Sequence, residues 1–158
     1  MKNYVLKTVL IAGSLDILAA FIQVYVTSNV MPSKVLQYVA SGVFGQSAFE
    51  GGFGIQVLGL FFHFVIVFFC TIVYFFLYSK FAFLRINWIA NSVLIAFVAW
   101  AVTNLIIIPL SKIPNRTFTF SKMLIAVTIL IVCIGLPISY FTRKFYNNKN
   151  IGRNMQIE

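Results

Sequence analysis

The chain has 158 residues, of which 61% are hydrophobic and only 9% are charged. A soluble domain carries about 25% charged residues, so this composition excludes an ordinary water-soluble globular protein. The net charge of +9 does not indicate a nucleic-acid partner, because basic residues beside apolar helices set membrane orientation and contact lipid headgroups. The length allows one domain of about four membrane spans.

The first predicted span covers residues 5–26. Gly13, Asp16, Ala20 and Gln23 recur at helical spacing and mark a small and polar face. We expect this face to meet protein and the opposite, apolar face to meet lipid. Asp16 interrupts the apolar run and no signal-type cleavage site follows, which favours a retained span over a secretory signal.

The connection between spans one and two predicts a short helix over residues 32–49. Pro32 suits the start of a helix, where its missing N–H is not needed. One apolar face follows at helical spacing, formed by Val35, Leu36, Val39 and Val43. This pattern is typical of an amphipathic helix at the membrane interface or of a re-entrant segment within the bundle. Glu50 is then a headgroup-level residue or a gate residue near the outer mouth.

The second predicted span covers residues 55–78 and contains no charged side chain and one histidine, His63. Its length matches the roughly 20 apolar residues needed to cross a bilayer. Its small and polar residues again share one helical face: Gln56, Gly59, His63, Cys70 and Tyr74. Cys70 and Cys133 lie within apolar runs without metal-ligand spacing, so we expect small buried hydrophobes and no disulfide.

The third predicted span covers residues 88–110, and its small residues form a stripe. The stripe consists of Ser92, Ala96, Ala99 and Thr103. Asn104 lies one residue round from it. Pro109 is expected to end this span, and Pro114 to keep the next loop extended.

The fourth predicted span covers residues 120–141. Pro137 follows Gly135 closely, which predicts a kink or a loosened turn in the last third of this helix. Residues 143–158 are polar and basic, and we expect a cytoplasmic tail that is disordered beyond its first turn.

Basic residues are distributed unequally between the two sides of the membrane. Eight lie at the termini and in the second connection: Lys2, Lys7, Lys80, Arg85, Arg143, Lys144, Lys149 and Arg153. Four lie on the other side: Lys34, Lys112, Arg116 and Lys122. The positive-inside rule therefore predicts that both termini are cytoplasmic.

Asp16 and His63 are expected to meet within the bundle. At about 1.5 Å rise per residue, each lies about 15 Å from the outer boundary, on the small face of its helix. Consecutive spans are commonly neighbours, and a bare carboxylate at this depth costs at least about 2.5–3.5 kcal/mol. Asn104 is included in the same predicted cluster. The cluster is either a proton relay or ligand-binding site, or a structural clamp that sets helix register.

Further polar residues are candidates for lining a cavity around this cluster: Gln23, Glu50, Gln56, Thr103 and Thr128. The alternative for each is a hydrogen bond between helices, or, for Glu50, solvation near the headgroups. No catalytic or nucleotide-binding motif occurs, so we expect no catalytic residue, metal or cofactor. A single histidine excludes bis-histidine haem ligation within one chain.

Four segments together resemble a family of small uncharacterised four-span bacterial membrane proteins. They are GSLD from Gly13, ASGVFGQSAFEGG with LGLFFHF from Ala40 to Phe64, Asn104 with PLS from Pro109, and CIGLPI from Cys133. The resemblance implies a four-helix protein of the bacterial inner membrane and brings no activity. Members of that family often carry a second histidine in span four, where this chain has Leu130, so it implies no two-histidine metal or haem site here.

The sequence therefore predicts an all-α, four-helix integral membrane bundle with a short helix between spans one and two. Two functions remain open: a small transporter, channel-like or ligand-binding protein, or a non-catalytic structural or assembly subunit. Membrane lipids are the expected partners, with a second copy or another membrane subunit as further candidates.

Overall fold

A computed structural model of the chain describes residues 1–108 and 120–154, and these form an all-α bundle. Four helices within them are long and apolar enough to cross a membrane. In chain order the elements are α1 (Lys2–Ser28), α2 (Pro32–Phe44), a 3₁₀ turn (Gly45–Phe49), α3 (Phe53–Lys80), a 3₁₀ turn (Ala82–Arg85), α4 (Trp88–Ala101) with a π-helical continuation (Val102–Ile107), α5 (Phe120–Leu130), a π-helical turn (Ile131–Gly135) and α6 (Leu136–Asn154). Helices α5 and α6 with the turn between them make the fourth span. Pro109 and Pro114 lie outside the described residues.

Local signals in the sequence explain where the first helices end and begin. Asn29 adopts a left-handed conformation (φ 50°) that terminates α1, and its N–H donates to the Tyr25 carbonyl. Pro32 occupies the first turn of α2, as expected. Gly45, with φ 67°, then ends α2 in a conformation that favours glycine. The predicted short helix between spans one and two is therefore confirmed.

Span four lies between span one and α4, while α3 packs on the other side of span one and also contacts α6. The start of α1 and the ends of α3 and α6 share one end of the bundle, here called the termini end. Its core contains Val5, Val67, Phe75 and Ile138, which are at most 6% exposed. The opposite end, which contains α2 and its 3₁₀ turn, is called the hairpin end.

Spans three and four approach closely because their facing residues are small. A Cβ at Gly135 would overlap the Ser92 carbonyl, and the Ser139 hydroxyl donates to the Trp88 carbonyl at 2.7 Å. Ser92 and Ala96 of the predicted stripe are fully buried, whereas Thr103 is exposed. Such small residues allow the backbones of membrane helices to meet.

The loosened turn predicted near Pro137 is confirmed. The π-helical turn Ile131–Gly135 directly precedes α6, which contains this proline. Proline has no N–H to donate to the carbonyl four residues earlier, and its ring crowds that carbonyl. A widened turn relieves both problems.

The disorder expected beyond the first turn of the tail (residues 143–158) is wrong for its described part, because α6 continues to Asn154. Its extension is packed on the bundle. The Tyr146 hydroxyl donates to the Phe75 carbonyl at 3.0 Å, and the Phe145 ring lies 5.4 Å from the Tyr4 ring. Two aromatic residues in a polar segment therefore attach this helix to spans one and two.

Candidate functional site

Helices α1 and α3 cross where α1 has a glycine. A Cβ at Gly13 would lie 2.6 Å from a ring carbon of Phe64, closer than side chains tolerate, so the absence of a side chain admits the phenyl ring. His63 precedes this phenylalanine, and the two rings meet edge to face with centroids 5.5 Å apart. This close crossing places the imidazole of span two against the backbone of span one.

His63 is held by a hydrogen bond between the spans. Its Nε2 lies 3.0 Å from the Gly13 carbonyl oxygen, in a buried position. A carbonyl oxygen only accepts, so Nε2 carries the proton and donates it. This contact defines both the orientation of the ring and which nitrogen is protonated when the imidazole is neutral.

The other ring nitrogen faces Asp16. His63 Nδ1 lies 4.0 Å from Asp16 Oδ2, and the two side chains are 11% and 20% exposed. Both are therefore turned away from the lipid-facing surface, as their position on the small face of each helix predicts. The distance exceeds a direct hydrogen bond and suits one bridging water or a small side-chain movement.

Asn104 does not join this pair in the described structure. It lies in the π-helical part of span three, and its side-chain amide donates to the Trp100 carbonyl at 2.9 Å. Its helix packs mainly on span four, whereas Asp16 lies at the contact of spans one and two. In a π-helix each backbone N–H donates to the carbonyl five residues earlier. The carbonyl four residues earlier, that of Trp100, therefore receives the side-chain amide of Asn104 as its donor. The described contacts of Asn104 do not include Asp16 or His63, so its place in their cluster stays a prediction.

The predicted cavity-lining residues are dispersed. Thr103, Thr128 and Glu50 are exposed, and the Thr128 hydroxyl donates to the Leu124 carbonyl of its own helix at 2.8 Å. Gln23 and Gln56 are half-buried towards the hairpin end of their helices. Within the described ranges, the structure does not assemble these five around the Asp16–His63 pair. A threonine hydroxyl in a helix can donate to a carbonyl of the same helix, so it needs no partner on another helix. The polar residue type alone therefore did not reveal which residues face the interior of the bundle.

Gln37 is a buried polar residue that was not identified from the sequence. Its Nε2 donates to the Gly51 carbonyl at 2.6 Å and ties α2 to the start of α3, and its side-chain oxygen is buried without a hydrogen-bond partner. The buried residues of α2 are Gln37, Ala40 and Ser41, whereas Val43 on the predicted apolar face is 52% exposed. A helix in contact with lipid turns its polar face to protein, so the position of Gln37 opposite an apolar face was the available signal.

A second buried polar group lies near the termini end. It comprises Thr8, Thr71, Asn91, Ser92, Ser139 and Thr142, each at most 5% exposed. Asn91 donates to the Leu84 carbonyl, which joins α4 to the preceding 3₁₀ turn. The threonines bond carbonyls of their own helices, so this group stabilises packing and holds no titratable pair.

Comparisons of this chain with known protein families, curated proteins and solved structures found no match. Among the described residues, no group of three His, Cys, Asp or Glu side chains lies close enough together to hold a metal ion. The chemistry of the site must therefore be inferred from the contacts of Asp16 and His63 themselves.

Proposed function

We propose that this protein is a small multi-pass transporter or ligand-binding protein that binds one proton at the Asp16–His63 pair within the bilayer. The observation that carries the proposal is the orientation of the imidazole. Its Nε2 donates to the Gly13 carbonyl while its Nδ1 faces the Asp16 carboxyl group. We further propose that it lies in the bacterial inner membrane, as the family resemblance implies, with both termini in the cytoplasm, as the charge distribution favours.

The geometry of the pair gives it a capacity of one proton at neutral overall charge. With its hydrogen on Nε2, a neutral imidazole presents a lone pair at Nδ1, and an ionised carboxylate presents only lone pairs. The contact becomes attractive when one proton lies between them, on either group. In that state the pair is either two neutral groups or an imidazolium beside a carboxylate, and the low-dielectric interior favours both over a net charge. Loss of the proton leaves a net negative charge, so binding and release would be coupled to the local environment.

The structural alternative rests on the same crossing. His63 joins spans one and two through the Gly13 carbonyl, and Phe64 fills the space above that glycine. A subunit that only holds its helices in register would use these contacts without exchanging a proton. A proton-binding protein requires that Asp16 changes its protonation and that His63 has a titratable nitrogen at the Nδ1 position. A structural subunit requires neither.

Isotope-edited infrared spectroscopy of the protein in lipid nanodiscs tests proton binding. We expect a carboxylic-acid band that changes with pH, disappears in Asp16→Asn and titrates differently in His63→Gln. Glutamine retains an N–H donor towards the Gly13 carbonyl but has no titratable nitrogen, so it preserves the clamp and removes the proton partner. Thr128→Ala, which removes an exposed intramembrane hydroxyl, is the matched control and should leave the band unchanged.

Proton flux into proteoliposomes under an imposed pH gradient then tests movement. We expect flux above that of protein-free vesicles, retained in Thr128→Ala and lost in Asp16→Asn and His63→Gln. The absence of any titrating carboxylic-acid band in the wild type would contradict the proposal and favour the structural subunit. A titrating band without flux would contradict transport and leave a proton-binding protein.

A further inference from the structure

A surface cavity at the termini end has the chemistry of an anion site. It encloses about 460 Å³ between the start of α4 and the extension of α6, and is lined by Trp88, Tyr140, Arg143, Lys144, Asn147 and Asn148. Two cations, two amides and two aromatic rings thus share one recess. None of these residues belongs to the Asp16–His63 site.

The aromatic floor of this cavity, formed by Trp88 and Tyr140, is ordered by contacts between the lining residues. The Trp88 and Tyr140 rings meet edge to face, with an interplanar angle of 63° and centroids 6.0 Å apart, and Lys144 Nζ lies 5.9 Å from the Tyr140 centroid. Asn148 donates to the Tyr4 hydroxyl at 3.0 Å, which fixes one amide at the rim. Trp88 and Tyr140 therefore form an apolar floor beside the charged groups.

The cations of this cavity have no internal counter-charge. The chain has three acidic residues: Asp16 faces His63, Glu50 lies at the hairpin end, and Glu158 falls outside the described residues. Within the described part of the chain, neither Arg143 nor Lys144 has a carboxylate partner. A recess with two uncompensated cations attracts an external anion.

We expect the cavity to lie at the depth of lipid headgroups. The third candidate span begins at Trp88, and the lining residues from Arg143 onwards belong to the polar and basic part of α6 that follows the apolar run of span four. Tryptophan and tyrosine concentrate at this level of a membrane, where one part of the ring is apolar and the other is wet. An occupant thus meets charged groups on the water side and aromatic rings on the bilayer side.

We propose that this cavity binds the headgroup of an anionic phospholipid. Arg143 and Lys144 contact the phosphate, Asn147 donates a hydrogen bond to it, and Trp88 and Tyr140 pack against the glycerol and the first acyl carbons. Arginine suits the phosphate because its planar N–H groups match two oxygens at once. The aromatic floor favours a lipid over soluble phosphate, which has no apolar part to cover it.

Quenching of Trp88 by brominated lipid tests this assignment. Trp100→Phe leaves Trp88 as the single tryptophan. The variant is reconstituted in phosphatidylcholine vesicles that contain a minor, equal fraction of brominated phosphatidylglycerol or brominated phosphatidylcholine. We expect stronger quenching by the anionic lipid. Adding Arg143→Gln and Lys144→Gln should weaken its apparent affinity roughly 30-fold, since each basic residue near an anionic surface contributes about a fivefold factor.

Lys2→Gln with Lys7→Gln is the matched control, because it removes two exposed basic residues at the same end of the bundle but outside the cavity. The control should retain the excess quenching. Equal quenching by both lipids, or an excess that survives loss of Arg143 and Lys144, would overturn the proposal. So would removal of the excess by inorganic phosphate at constant ionic strength, which would assign the site to a soluble anion. Native mass spectrometry makes the same comparison in protein that keeps both tryptophans. It measures how much phosphatidylglycerol the protein retains with and without Arg143→Gln and Lys144→Gln.

Discussion

His63 uses both of its ring nitrogens between two helices, which distinguishes it from a histidine that only fills a core. Nε2 bonds the backbone of span one, and Nδ1 faces a side chain of the same span. The backbone bond is independent of the side chain at position 16, whereas the Nδ1 contact depends on it. Substitutions at the two positions can therefore separate the clamp from the pair.

The pair should show energetic coupling in a double-mutant cycle. Asp16→Asn and His63→Ala are each expected to lower the free energy of unfolding, and the double variant should lose about 0.5–3 kcal/mol less than the sum, because groups in direct or water-bridged contact share their interaction energy. Steric-trap unfolding in bicelles measures these values. Thr128→Ala combined with His63→Ala should be additive. Additivity in the Asp16–His63 cycle itself would show that the two side chains do not interact.

Two helix contacts depend on glycines whose missing side chains admit a neighbouring backbone. At Gly59 a Cβ would overlap the Leu36 carbonyl of α2, and at Gly135 it would overlap the Ser92 carbonyl of α4. The α2 contact lies about 9 Å into α3 at the ordinary helical rise. The Phe44 and Phe62 rings, whose centroids are 6.2 Å apart, extend this contact along α3 by nearly one further helical turn. Helix α2 therefore packs along the side of span two and does not only connect spans one and two.

Gly59→Ala should loosen α2 from α3. Overpacking at a close contact costs about 1–3 kcal/mol, so amide exchange in residues 32–44 is expected to accelerate roughly tenfold or more. Gly54→Ala is the matched control, because a Cβ at that position of the same helix meets no atom within 4 Å. Hydrogen–deuterium exchange with mass spectrometry measures both variants. Equal protection of α2 in the two variants would exclude a tight contact at Gly59.

The whole molecule is asymmetric along its long axis. Its dense core, its aromatic contacts with the α6 extension and most of its basic residues lie at the termini end. The hairpin end holds α2, the exposed Glu50 and Lys34, whose Nζ donates to the Phe49 carbonyl at 3.4 Å. The start of α1 and the end of α6 lie at the same end of the bundle because four spans connect them.

Thiol labelling should place the termini end in the cytoplasm. In a background with Cys70→Ala and Cys133→Ala, a membrane-impermeant maleimide should modify Glu50→Cys in intact cells. It should reach Lys80→Cys only after permeabilisation, because loops rich in lysine and arginine are retained inside. Both positions are exposed, so accessibility differs only by side. The reverse pattern would show that the charge bias does not set the orientation.

The four spans, the helix after Pro32 and the loosened turn before Pro137 are determined by the sequence alone. Each follows from a local property: the length of an apolar run, a missing N–H, or the φ angle of one residue. The proximity of Asp16 and His63 was also predictable, because depth and helical face are periodic and the two spans are consecutive. The tail was not, because its polar composition hides the contacts that Phe145 and Tyr146 make with residues 60 or more positions earlier.

Only the tertiary structure decided which polar residues share a site. Asn104 has a polar side chain in an apolar span, as Asp16 does, but span four lies between their helices. The cavity at Trp88 and Arg143 likewise joins residues more than 50 positions apart, through the contact of Ser92 with Gly135 and the bond from Ser139 to the Trp88 carbonyl. In a bilayer, lipid and protein are equally apolar neighbours, so the order of helices depends on small-residue contacts and single hydrogen bonds that hydropathy does not record.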